Sequence, residues 1–173
     1  MLKVKISIRP LEIQDIPGIV AAFQQLGWNK PASQYEHYLV EQELGRRDVY
    51  VAFAEEAFAG YLTICWSSSY EPFRSEGIPE IVDFNVLPEF RRRGIGTQLM
   101  DRAESEIARV GCTAGIGVGM TADYGAAHRL YVLRGYVPDG RGLHYRGYRV
   151  RLGESITVDD TLALYLTKRL KEG

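Results

Sequence analysis

The segment Phe90-Arg91-Arg92-Arg93-Gly94-Ile95-Gly96-Thr97 joins three guanidinium groups to two glycines in the spacing Arg-x-x-Gly-x-Gly. Glycines let a backbone come close to a ligand. An amphipathic helix starts near Ile95, and a helix start leaves amide N–H groups without intrahelical partners. The helix dipole favours anions at that end. This chemistry suits a phosphate or pyrophosphate group. It is not a Walker loop, because Gly96 is followed by Thr97-Gln98 with no lysine. It is not a dinucleotide fingerprint either, since the third glycine position holds Leu99. On spacing alone, a basic loop capping a helix, with its arginines solvated, satisfies the same pattern.

A second motif lies downstream: Ala127-His128-Arg129-Leu130-Tyr131-Val132-Leu133-Arg134-Gly135-Tyr136, a short helix closed by glycine and followed by an aromatic. The two segments, in this order, resemble the GNAT superfamily of N-acetyltransferases. Members carry an Arg/Gln-x-x-Gly-x-Gly/Ala loop for acetyl-CoA and an Ala-x-x-Leu-Tyr-x-x-x-Gly-Phe/Tyr helix. The resemblance runs from about Ile6 to Val137 and is weakest before residue 80.

The resemblance implies acetyl-CoA as co-substrate and no metal. The pyrophosphate would accept hydrogen bonds from the amides of Arg92, Arg93, Gly94, Ile95, Gly96 and Thr97, with Arg91, Arg92 and Arg93 adding attraction. The pantetheine arm would pair with the backbone of Asn85 and Val86. Tyr131 would be the general acid that protonates the departing thiolate. A phenol with a pKa near 10 stays protonated at neutral pH and can donate. The attacking amine must first lose a proton. Some members place a glutamate where Glu80 stands, and Asp83 competes with it, having opposite strand parity. An ordinary carboxylate is too acidic for this task, so Glu80 needs burial or a water chain. One departure concerns Tyr124, which stands where the family often has an asparagine that touches the cofactor.

The elements that must position these residues read as one domain over residues 1–173. Lys3 to Arg9 alternates as a strand does, and is not a signal peptide. Asp15 caps a helix from Ile16 to Leu26 that Gly27 ends. A second helix opens at Pro31-Ala32-Ser33, where Ser33 and Glu36 match a capping box, and Gly45 follows its last turn. Val49–Ala54 and Ala57–Trp66 form a hairpin across Glu55-Glu56. Ser67 to Gly77 is a loop, and Glu80 to Leu87 a strand. The next helix carries Ile95, Leu99, Met100, Ala103, Ile107 and Val110 on one stripe. Ala114 to Val118 is a glycine-interrupted strand, and Asp123 caps the Tyr131 helix. Tyr145–Leu152 and Leu162–Leu170 form the last strand pair. The order βααβββαβαββ describes a mixed α/β (α+β) domain. The resemblance adds a mostly antiparallel sheet flanked by about four helices, its fourth and fifth strands splayed apart to admit the cofactor.

Composition narrows the function. The chain has 21 basic and 22 acidic residues and a net charge of −1, which argues against a general nucleic-acid surface. No stretch approaches the roughly eighteen apolar residues of a membrane span, so the cytoplasm is the expected location. Cys65 and Cys112 read as buried free thiols, and His37, His128 and His144 lack metal-ligand spacing. His128 is expected to face solvent. Trp28, Tyr35, Tyr38, Trp66, Tyr70 and Phe73 suggest an aromatic wall for a small amine. The leading expectation is acetyl transfer from acetyl-CoA to a small-molecule primary amine by direct attack in a ternary complex. Peptide or protein N-acetylation, or a non-catalytic CoA sensor, are the alternatives. A homodimer is compatible with the sequence.

Overall fold

The computed structural model describes residues 5–170. In chain order the elements are β1 (Ile6–Pro10), α1 (Ile16–Gln25), α2 (Ala32–Glu43), β2 (Arg47–Ala54), β3 (Ala57–Cys65), α3 (Glu71–Glu76) and β4 (Glu80–Val86). They continue with α4 (Ile95–Ala108), β5 (Thr113–Gly119), α5 (Gly125–Leu133), β6 (Val137–Tyr145), β7 (Tyr148–Arg149) and β8 (Leu162–Arg169). The expected mixed α/β order holds, with α3 and one further strand added to it. β1–β2, β2–β3, β5–β8, β6–β8 and β6–β7 pair antiparallel, and β4–β5 pairs in parallel.

The chain divides into two compact units, the described part of Met1–Trp66 with Val82–Ala103, and Ser67–Ile81 with the described part of Glu104–Gly173. In the first, the strand order is β1-β2-β3-β4. β1 runs antiparallel to β2 from Ile6↔Ala54 to Pro10↔Tyr50. β2 and β3 form the expected hairpin, whose turn holds Glu55 at φ +60°. Alternate residues of these strands, the apolar stripe of α1, Tyr35 of α2 and the flanking Leu11 and Leu87 build the core: Leu11, Ile16, Ile19, Phe23, Tyr35, Val49, Val51, Tyr61 and Leu87 are all buried. The Phe23 ring meets Phe58 and Tyr61 edge-on at 5.8 and 6.0 Å, an arrangement that favours aromatic pairs beyond their area. α4 buries Ile95, Leu99, Met100, Ala103 and Ile107 as its period predicts.

The second unit has the order β4-β5-β8-β6-β7, β4 entering with Glu80 and Ile81. These two residues pair in parallel with Gly115 and Ile116. β8 pairs along the whole of β5, from Thr113↔Arg169 to Gly119↔Ala163. Gly115, Gly117 and Gly119 share one face of β5, since alternate residues point the same way. Each is overlaid by an aromatic ring: a Cβ there would lie 2.3 Å from Phe73, 2.8 Å from Tyr165 and 2.5 Å from Tyr124. Glycine is what admits these rings against the strand.

Several expectations need correction. Residues 71–76 are helical, not loop, with Pro72 in the first turn and Gly77 at φ +66° closing the helix. The partner of β8 is β6, not Tyr145–Leu152, which holds the end of β6, a tight turn and the two-residue β7. α4 stops at Ala108, leaving Val110 exposed. α2 starts after Pro31 without a side-chain cap. Asp15 precedes α1 as expected, but its carboxylate accepts from the Glu12 amide and the Arg9 guanidinium instead of capping. Met1–Val4, at the start of the expected first strand, lie outside the described residues.

Candidate functional site

The arginine-glycine loop follows β4 within the first unit. Arg92 and Gly94 both adopt left-handed φ values, +61° and +80°. Only glycine takes such a conformation without strain, which accounts for Gly94. Arg91, Arg92 and Arg93 are exposed, and none forms an ion pair with a described residue. Arg91 Nε donates to the Val86 carbonyl at 3.0 Å, and the Arg93 guanidinium lies over the Phe90 ring at 5.5 Å. The first intrahelical bond of α4 runs from the Gln98 amide to the Gly94 carbonyl, 3.0 Å. Amides ahead of Gln98 thus lie at the positive end of the helix, beside three uncompensated cations. Gly96 also has a packing role. A Cβ there would meet Phe84 at 3.2 Å and Val86 at 3.7 Å, so this glycine lets α4 pack closely on β4. On the other side of β4, Gly60 passes so near that a Cβ would sit 2.4 Å from the Asn85 carbonyl oxygen.

Asp83 occupies a left-handed position in β4, φ +53°, a conformation that short polar residues tolerate best. Its Oδ1 accepts from Lys30 Nζ at 2.5 Å and Asn85 Nδ2 at 2.9 Å. Its Oδ2 accepts from Gln34 Nε2 at 2.8 Å, Tyr38 Oη at 3.0 Å and the Tyr61 hydroxyl. Burial and the carboxylate push both phenols well above the usual range, so they remain donors. Five donors, one of them an ammonium, saturate the two oxygens of this carboxylate. That saturation speaks against Asp83 as a proton acceptor.

Glu80 lies at the start of β4 in the second unit and is buried. Its Oε2 accepts a hydrogen bond from the Ser68 hydroxyl. Ser68 Oγ accepts in turn from the Tyr70 amide at 2.9 Å. Arg74 of α3 holds this bend by donating to the carbonyls of Ser68 and Ser69, both at 3.1 Å. Tyr70 stacks face to face on Tyr165, ring centroids 3.6 Å apart, and its hydroxyl donates to Asp139 Oδ2 at 2.7 Å. The burial that Glu80 requires as a base is therefore present. Sequence reasoning missed Ser68, Tyr165, Asp139 and His144. The alternating glycines of β5 were the available signal, since each demands a large neighbour on its face.

Tyr131 is buried on α5, its ring 6.0 Å from that of Tyr136. Burial, and then the proximity of Tyr124, push its hydroxyl well above the usual range of a phenol. It stays protonated at any physiological pH, as an acid must. His128, expected to face solvent, is half-buried and donates from Nε2 to the Gly119 carbonyl at 2.7 Å. Of the two free cysteines, Cys112 is exposed. The aromatic set divides. Trp28 stacks on Phe23, and Tyr35 packs in the core with its hydroxyl unpaired. Tyr70 and Phe73 belong to the Glu80 cluster. Among the described residues no cluster of His, Cys, Asp or Glu could hold a metal, and no helix is long and apolar enough to cross a membrane. A cavity of about 950 Å³ is lined by Tyr148 to Glu154, none of them a candidate residue.

The family model described as the acetyltransferase (GNAT) family matches residues 19–136. The chain therefore belongs to the GNAT acetyltransferase family, whose co-substrate is acetyl-CoA. The fold is similar to that of yncA from Salmonella typhimurium, solved with its cofactor acetyl-CoA, at 19% identity and TM-score 0.67, covering 97% of this chain and 95% of that one. It is similar to Ard1 from Thermoplasma volcanium, at 20% identity and TM-score 0.71, covering 98% and 100%. It is also similar to the ribosomal-protein-S18-alanine N-acetyltransferase from Escherichia coli, at 17% identity and TM-score 0.67, covering 96% and 94%. No curated protein matches the chain.

Proposed function

We propose that this acetyltransferase moves the acetyl group of acetyl-CoA onto the primary amine of a small molecule, by direct attack in a ternary complex, as one N-acetyltransferase domain over residues 1–173. The family match spans residues of both compact units, which supports the single domain. The Arg91–Thr97 loop takes the diphosphate, and Asn85 and Val86 offer backbone groups to the pantetheine arm. An ammonium gives one proton to Glu80, directly or through water, and the free nitrogen attacks the thioester carbonyl. The C–N bond forms, the C–S bond breaks, and the thiolate takes a proton from Tyr131. The nitrogen loses a second proton as the amide forms, so one proton is released overall.

The contrast between the two carboxylates carries the choice of base. Glu80 is buried beside a neutral serine donor, whereas Asp83 is saturated by five donors that include an ammonium. The compact aromatic surroundings of Glu80 support a small acceptor. The test is thiol release by the full chain from acetyl-CoA, with a panel of small primary amines and with peptides bearing free N-termini. Turnover with small amines is expected, and Glu80→Gln should abolish the acidic limb of the pH–rate profile. Tight acetyl-CoA binding without thiol release for any acceptor overturns the proposal.

A further inference from the structure

Tyr165 has no part in the steps above, yet it sits beside the proposed base. It stands on β8 directly across from Gly117 of β5. A Cβ on Gly117 would lie 2.8 Å from Tyr165 Cε1 and 3.2 Å from Glu80 Oε1. Phenol ring and carboxylate therefore converge over one bare backbone position. The ring is held on several sides. It is parallel to Tyr70 within 1° at 3.6 Å and meets Phe73 and His144 edge-on at 5.5 and 5.7 Å. Tyr70 itself is tied at both ends, to Ser68 and to Asp139. A ring so fixed directs its hydroxyl to one place.

That hydroxyl makes no hydrogen bond to another described residue, although the residue is only half-buried. The Tyr70 hydroxyl beside it donates its proton to Asp139. Burial first, then Glu80 and Asp139, push the ionisation of Tyr165 up to about 12. It is a neutral phenol whose oxygen can still accept. The nearby cations are occupied: Arg141 pairs with Glu76 at 2.7 Å and with Asp139 at 4.0 Å, and Arg74 donates to two carbonyls. The charges acting on Tyr165, those of Glu80 and Asp139, are both negative.

We propose that Tyr165 is a specificity-determining residue of this acetyltransferase, its hydroxyl accepting a hydrogen bond from a primary alkylammonium acceptor and holding that nitrogen beside Glu80. This rests on the proposed amine acetylation. A neutral alcohol of the same shape lacks the ionic attraction to Glu80, so the arrangement selects charge as well as size.

The experiment compares the wild-type chain with Tyr165→Phe, which keeps the ring stack, and with Gly117→Ala, whose methyl would push ring and carboxylate apart. Benzylamine and butylamine are the probes, with benzyl alcohol and butanol as neutral controls. Calorimetry in the presence of CoA reads binding, and thiol release from acetyl-CoA reads turnover. Both variants should weaken amine binding and raise the amine KM by about ten- to a hundredfold, the worth of a hydrogen bond to a charged group. The alcohols should bind more weakly and respond by less than about tenfold, and acetyl-CoA affinity should hold. Amines acetylated by wild type and by Tyr165→Phe with the same KM would overturn the role of Tyr165 and leave amine acetylation standing. Amines bound but not acetylated by wild type, with binding lost in Tyr165→Phe, would keep the role and overturn the reaction. Failure of either amine to bind wild type would overturn the role of Tyr165 as well.

Discussion

Replacing Asp83 with asparagine should destabilise the chain substantially while leaving the identity of the base unchanged. Asparagine keeps the shape and tolerates the left-handed backbone that Asp83 adopts, φ +53°. It removes the negative charge that Lys30, Tyr38, Tyr61, Gln34 and Asn85 converge on. Lys30 and Asp83 side chains are only 19% and 15% exposed, so water compensates the stranded ammonium poorly. Breaking one partner of a buried pair costs about 3–5 kcal/mol. Partial exposure and the remaining amide oxygen reduce this to about 2–4 kcal/mol. For a chain of this length that lowers the unfolding midpoint by about 5–15 °C. Lys30→Met in the same chain removes the stranded charge and should recover part of the loss. Thermal unfolding by circular dichroism is the assay. A midpoint within about 1 °C of wild type would refute the reasoning, because the carboxylate and its five donors would then be energetically idle. The acidic limb of the pH–rate profile should persist in Asp83→Asn; its disappearance would make Asp83 the base.

Tyr131→Phe should lower kcat by about a hundred- to ten-thousandfold, the usual worth of a positioned acid. Acetyl-CoA affinity should hardly change, and equal turnover would remove Tyr131 from the mechanism. Glu104 supplies a pH-dependent contribution to stability. Burial raises its ionisation, but hydrogen bonds from Arg134 and Lys168 outweigh that and hold it below the usual carboxylate range. A depressed folded value stabilises the chain above the unfolded pKa of about 4.3, and this is lost as pH falls through the folded value. The midpoint difference between wild type and Glu104→Gln should therefore be full at neutral pH and narrow in acid. A gap that stays constant down to pH 3 would contradict this.

How much of this was legible in the sequence depended on the range of each interaction. The stripe Ile95–Leu99–Met100–Ala103–Ile107 is local and periodic, and all five residues are buried. Gly94 was legible as a loop glycine, and its φ of +80° explains it. The packing role of Gly96 was not legible, because only the fold brings Phe84 to 3.2 Å from its missing Cβ. α3 is six residues long and too short to display a period, although Pro72 and Gly77 marked its ends. β6 was hidden by Pro138, Gly140 and Gly142, which break a strand pattern and coincide with its irregular register. Asp83 could be named as a carboxylate near Glu80. Its saturation could not, because Lys30, Tyr38 and Tyr61 reach it from three other segments. Tyr165 and Glu80 likewise meet over Gly117 from two strands far apart in sequence.

In the proposed function, the helix start after β4, with three exposed arginines that form no ion pair with a described residue, seats the diphosphate of acetyl-CoA. Calorimetry of the full chain with acetyl-CoA and with acetyl-pantetheine, which carries the thioester but no diphosphate, tests it most directly. Saturable binding of acetyl-CoA is predicted, weakening with added salt and becoming undetectable for acetyl-pantetheine. No heat of binding for acetyl-CoA, or equal affinity for the two, would contradict the account.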